Sequence, residues 1–289
     1  MKFLCKNTFV GCKKENKGDV VLIGLPYDGT ESFRRGTAKG PEFVRFYSDS
    51  IETFSYVNDI DIKNFKILDL GNVIFKIKKP DKVVNDIYKT AEYIINRKKL
   101  PLYIGGEHLI TYPIVKKYYE KYKDLNVLYF DAHADFRDNY DGNKLSHAAV
   151  ARRIFEFLGS KKLYMFGIRS FEKSEYQYMK SKQIFIDTKF KKFNSVIKSI
   201  KQKPVYITID MDVFDPSCMQ AVGNPEAGGI FYDFFVNVIL HGFLKLKNIV
   251  AIDVVEYSPN LDCSGSSGIF TAKIIRELLP VLNKNVKKR

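Results

Sequence analysis

The chain has 289 residues, 45% apolar and 14% aromatic, which is enough for a sizeable core and too apolar for intrinsic disorder. Its 47 Lys+Arg against 33 Asp+Glu give a net charge of +14, but the lysines fall in short scattered runs among apolar residues, the pattern of solvated helix faces rather than of a phosphate-binding stripe. No run approaches the roughly 18 apolar residues of a membrane span, and the amino end lacks the apolar centre of a signal peptide, so a cytoplasmic protein with no nucleic-acid and no membrane partner is expected.

Residues 19–23 read as a buried strand closed by Gly24 and Pro26, and 67–69 as a second strand. From 81 to 97, Val83, Ile87, Ala91 and Ile94 recur at helical spacing, and Pro101 marks the start of the next element. A strand at 102–104 ends at Gly105-Gly106; a helix at 111–122 and a strand at 126–130 follow. Further strands are expected at 163–166, 184–186, 205–209 and 249–255, and helices at 148–158, 190–200, 231–244 and 268–282. Such alternation argues for parallel strands joined by crossover helices. No Pro/Gly/Ser-rich linker or internal repeat divides the chain. The expectation is one domain over residues 1–289 with an α/β fold: a three-layer α/β/α sandwich around a mostly parallel sheet of about eight strands.

Ligands of open α/β sheets sit beyond the carboxyl ends of the strands, and there the sequence is rich in acidic and histidine residues. Gly105-Gly106-Glu107-His108 follows one strand, Asp131-Ala132-His133-Ala134-Asp135 another and Asp210-Met211-Asp212 a third, while the last runs through Asp253 to Glu256. Alternate residues of an extended chain point to one side, so Asp131, His133 and Asp135 can aim at one point, as can Asp210 and Asp212. With His108 this makes four carboxylates and two imidazoles. Four carboxylates converging at a buried rim would repel one another unless cations neutralised them, and two divalent ions cancel the charge. An oxygen-rich set with no thiolate favours Mn²⁺, ahead of Mg²⁺, Co²⁺ or Fe²⁺. The four dispersed cysteines show no ligand spacing and are assigned to packing.

At these residues the chain resembles the ureohydrolase family (arginase, agmatinase, formimidoylglutamase). The resemblance extends to Ser146-His147, to Asp210-Met211-Asp212-Val213-Phe214-Asp215-Pro216, to the glycine-rich loop 223–229, and to Gly40-Pro41-Glu42-Phe43-Val44-Arg45. It implies that Asp131 and Asp210 bridge two metals, with His108 and Asp135 completing one ion's shell and His133 and Asp212 the other's. It implies that Glu256 holds the substrate guanidinium and that His147 shuttles protons. The implied reaction is hydrolysis of a guanidino group to urea and an amine by hydroxide held between the metals, with Asp135 relaying a proton to the departing amine. A homo-oligomer, trimer or hexamer, is implied as well.

Two places bear on the substrate. Arginases place an Asn two residues beyond the third ligand of the first cluster, where it helps read an α-carboxylate; here that residue is Arg137. Gly167-Ile168-Arg169-Ser170 and Ser146-His147-Ala148 look like microbial agmatinases. Agmatine, a small cationic guanidine without a carboxylate, is the expected substrate. Arginine, guanidinobutyrate and formimidoylglutamate are the alternatives, and a non-catalytic metal-binding protein or a single-zinc amide hydrolase are readings of other classes.

Overall fold

The computed structural model describes residues 2–14 and 18–286. Strands form where β-branched and aromatic residues run together: β1 (Phe3–Leu4), β2 (Val20–Leu25), a small hairpin of β3 (Phe54–Ser55) and β4 (Ile60–Asp61), β5 (Ile67–Val73), β6 (Leu100–Gly105), β7 (Asn126–Phe130), β8 (Leu163–Phe166), β9 (Phe185–Asp187), β10 (Val205–Asp210) and β11 (Ile249–Val255). Nine of them make one sheet in the order β1-β5-β2-β6-β11-β10-β7-β8-β9. Eight are parallel, as expected; the ninth, β1, is a two-residue edge paired antiparallel to β5. Pro101 lies inside β6, before the point where pairing with β11 begins at Leu102, so its missing N–H leaves no gap on that side.

Helices cover both faces, and β2, β6, β7, β10 and β11 are buried at every residue. Strand alternation divides the core in two. Leu22, Leu102, Ile207 and Ile252 face α1 (Gly40–Ser48), α6 (Phe193–Ile200), and a composite helix of α7 (Tyr232–Phe234), a π-helical stretch (Phe235–Leu240) and α8 (His241–Phe243), together with α9 (Ser266–Val286). Val21, Tyr103, Tyr206 and Ala251 face α2 (Pro80–Asn96), α3 (Thr111–Lys121), α4 (Val150–Leu158) and α5 (Lys173–Ser181). The helices expected from periodicity are present; α1, α5, β1 and the β3–β4 hairpin are additions.

The sheet order places the carboxyl ends of β6, β11, β10 and β7 side by side. The four segments richest in His, Asp and Glu therefore open onto one rim.

Candidate metal centre

Each of these strands delivers its polar residues through a short turn. β7 hands over directly to Asp131, β10 ends on Asp210 and enters a 3-10 turn (Met211–Val213) carrying Asp212, and the segment after β6 enters another (His108–Ile110). Strand alternation brings Asp131 and His133 together, since His133 continues the extended run through a parallel bridge to Ser170, but it does not account for Asp212 or Asp135. Asp212 reaches the rim because its own N–H donates to Asp210 Oδ1 (2.9 Å), which tightens the turn. Asp135 reaches it through a left-handed backbone, φ 47°. One cross-tie joins the two acidic loops, Ala132 N–H donating to Asp212 Oδ1 (2.9 Å), while His133 N–H donates to Asp131 Oδ1 (2.6 Å) within the first.

The result is a concentration of lone pairs. His108 Nδ1 lies 3.1 Å from Asp131 Oδ2, 3.1 Å from Asp210 Oδ2 and 3.4 Å from Asp135 Oδ2. His133 Nδ1 lies 2.7 Å from Asp212 Oδ2 and 3.8 Å from Asp131 Oδ1. Asp131 Oδ2 is buried and accepts no hydrogen bond. Two triplets, His108/Asp131/Asp135 and Asp131/His133/Asp212, each bring one donor atom per residue within 4.8 Å of one another, and they share Asp131. An orphaned carboxylate oxygen in an oxygen-rich set shared between two triplets fits a pair of hard divalent cations.

The electrostatics agree. Burial, then Asp212 and Asp135, push the Asp131 carboxyl well above the usual range; burial, then Asp212 and Asp131, do the same to Asp210. Burial works against charge on His133, but Asp212 beside it lifts the imidazole to about 10. For Asp212 burial is outweighed by His133, and the carboxyl is held low. Around neutral pH the metal-free cluster retains protons where cations would otherwise supply the positive charge.

His133, Asp135, His147, Asp210, Asp212 and Glu256 all line one cavity of about 630 Å³; His108 and Asp131 are buried behind it. Glu256 follows β11 with φ 68° and accepts from the His108 backbone N–H (2.6 Å). Burial, then Asp210, raise its carboxyl well above the ordinary range, and a cation beside it would favour its charged form. His147 sits on a 3-10 turn (His147–Ala149), with Ser32 Oγ 3.2 Å from Nε2 and its backbone N–H donating to Thr30 Oγ1 (3.0 Å). Arg137 also lines the cavity, but it pairs with Glu172 (3.1 Å) and lies over the Tyr140 ring.

Several supporting residues escape sequence reasoning. Tyr129 stacks on His108 at 4.7 Å and donates to Asp135 Oδ2 (3.0 Å). Fully buried Glu107, pushed up to about 8 by burial, accepts from Thr30 N–H (2.7 Å) and Thr30 Oγ1 (2.5 Å), clamping the loop that touches His147. Arg169 ties the glycine-rich loop to the metal turn by donating to Glu226 O (2.7 Å), Ala227 O (2.9 Å) and Asp212 O (2.9 Å). Glu107 and Arg169 stand in motifs visible in the sequence; nothing local reveals which backbone atoms they hold.

Comparison with known proteins places this geometry. The arginase-family model matches residues 18–280. The chain is 34% identical over 275 residues to the agmatinase of Bacillus subtilis (strain 168), across 94% of each chain. It is 35% identical over 246 residues to the N(1)-aminopropylagmatine ureohydrolase of Thermococcus kodakarensis, across 83% of each. The crystal structure of the agmatine ureohydrolase of Thermoplasma volcanium superposes with a TM-score of 0.87 at 28% identity, covering 99% of this chain and 97% of that one. With the match running through every strand of the acidic rim, the chain belongs to the arginase family.

Proposed function

We propose that the chain, acting as one catalytic domain, hydrolyses the guanidino group of agmatine to urea and putrescine, with two Mn²⁺ held by His108, Asp131, His133, Asp135, Asp210 and Asp212. Asp131 and Asp210 would be shared, His108 and Asp135 would serve one ion, and His133 and Asp212 the other. Such a pair, when bound, supplies Lewis acidity that makes hydroxide available near neutral pH.

The chain's own residues do the rest. Glu256 binds the planar guanidinium through a charge-assisted contact and orients its carbon toward the ligand cluster. Asp135, at the cavity wall, carries a proton to the departing amine, and His147 exchanges protons with solvent. Arg137 is held by Glu172 and Arg34 by the Gly223 and Val222 carbonyls, so both arginines of the cavity lining are already engaged, which supports agmatine over arginine or guanidinobutyrate. The observation that carries the reading is the lone-pair cluster around His108 and Asp131, linked to Glu256 by a single backbone hydrogen bond. The agmatinase named in Bacillus subtilis supports the substrate. A homo-oligomer is part of the proposal; among the described residues no helix is long and apolar enough to cross a membrane.

A second reading, an agmatine extended by an aminopropyl group, draws on the Thermococcus relative and on a cavity of about 630 Å³, which leaves space beyond a four-carbon chain. The test is urea release from Mn²⁺-loaded protein offered agmatine, N(1)-aminopropylagmatine, arginine, guanidinobutyrate and formimidoylglutamate. Agmatine is expected to turn over far faster than arginine. Turnover of arginine alone would overturn the substrate and keep the reaction class, and preference for the aminopropyl compound would select the second reading. His133→Ala and Asp210→Ala are expected to abolish turnover; unchanged rates would contradict the centre.

A further inference from the structure

Behind the ligand His108 lies a buried polar row that the reaction does not use. Tyr129 on β7, Thr208 on β10 and Asp253 on β11 are direct partners across three adjacent strands. Thr208 Oγ1 is 2.9 Å from His108 Nε2 and 2.5 Å from Asp253 Oδ1. The other Asp253 oxygen accepts from Thr111 Oγ1 (2.9 Å) and from the Tyr206 hydroxyl. Asp253, Thr208 and Thr111 have no exposed surface, so bulk solvent does not reach them.

Proton counting fixes the direction of this chain. Burial raises the Asp253 carboxyl, while His108 and the hydroxyls of Thr208, Tyr206 and Thr111 oppose the rise. Three hydroxyls converge on the carboxylate, and only its acceptor form satisfies all three. Thr208 has a single proton, and it goes to Asp253. Thr208 Oγ1 must then accept from His108 Nε2–H, so Nδ1, which faces Asp131 and Asp210, is the ring nitrogen left to meet a cation. An apolar or reversed partner at Thr208 would free the imidazole to turn or to place its proton on Nδ1, where it would compete with a cation.

We propose that Asp253, acting through Thr208, is a positioning residue that holds His108 as an Nε2–H imidazole and so presents its Nδ1 to a divalent cation. The inference rests on the metal reading above, and it concerns one ion only, because His133 and Asp212 lie outside this row.

The test measures Mn²⁺ binding to the whole protein by calorimetry with a competing chelator, resolving the two equivalents. In Thr208→Val and Asp253→Asn, one equivalent is expected to weaken roughly 10–100-fold while the other stays within about threefold of the parent. Thr208→Ser, which keeps the hydroxyl, is expected to bind like the parent. Parent-like binding of both equivalents in Thr208→Val would overturn the inference. So would equal weakening of both equivalents with no rescue by Thr208→Ser, which marks general structural damage. A parent that binds fewer than two equivalents would instead overturn the metal reading on which the inference stands. Should Asp253→Asn fail to fold, the Thr208 pair decides alone.

Discussion

His147 meets the cavity with Nε2 3.2 Å from the Ser32 hydroxyl, and its surroundings set when it can take a proton. Burial holds its pKa below the ordinary imidazole range, with Asp135 opposing. A proton acceptor must be neutral. In the proposed proton-exchange role, His147 gains that capacity as pH rises through the lowered pKa and its charge is lost, so turnover is expected to rise along an acid limb and then level. kcat for agmatine against pH is expected to show this limb below the ordinary histidine range. His147→Asn is expected to remove the limb and lower the plateau by about 10²-fold; a limb that persists in the variant would assign it to another group. At this scale the proposed ligands were legible because each stands at or just past the end of an apolar strand, where a charged residue has no packing role. Thr208 and Asp253 were not, because each is a polar residue inside an apolar run. Their meaning comes from the register that sets them side by side on β10 and β11, and that pairing is not local in sequence.

Among the elements, α1 shows why a motif can be visible while its helix is not. Its buried positions, Gly40, Pro41, Val44, Arg45 and Ser48, follow helical spacing, but only Val44 is an aliphatic core residue, so a search for apolar periodicity passes over it. α5 is similar, burying Glu175 and Met179 alone. What α1 buries instead is an ion pair with β5. Arg45 Nε donates to Asp69 Oδ2 and Nη2 to Asp69 Oδ1, both at 2.8 Å, and Nη1 donates to Asn72 Oδ1 and Pro41 O, also at 2.8 Å. Asp69 further accepts from the N–H groups of Phe9 (2.9 Å) and Gly71 (2.9 Å). Arg45→Met keeps most of the packing volume but strands a buried carboxylate, and is expected to cost about 3–5 kcal/mol in chemical denaturation of the metal-free protein. Replacing both partners with apolar residues is expected to recover part of that loss. A cost below about 1 kcal/mol for Arg45→Met would mean that the pair is not desolvated as the structure has it.

For the whole molecule, the layered α/β plan followed from alternation, while the ninth strand, two residues long, carried too little pattern to be seen. The net charge of +14 is resolved by topology. Parallel strands all begin at one end, opposite the acidic rim, and the crossover helices end there. The segments entering six neighbouring strands (97–99, 122–125, 159–162, 182–184, 201–204 and 244–248) hold eleven Lys and Arg side chains and one acid, Asp124. Cations at helix carboxyl ends are favoured by the helix dipole, which gives this face a structural reason to be basic. A strand of six residues spans about 20 Å, well beyond the screening length of about 8 Å at physiological salt. The basic base is therefore too distant to repel a dicationic substrate from the rim, where Glu256 is proposed to act at contact. Replacing Lys201, Lys203, Lys245 and Lys247 together with Gln is expected to leave kcat/KM for agmatine within about twofold at 0.15 M salt, and to raise it only when salt falls to about 0.01 M and the screening length reaches about 30 Å. A rise of about tenfold at 0.15 M salt would show that the field of the whole molecule reaches the cavity, and that the acidic rim does not set the substrate's approach alone.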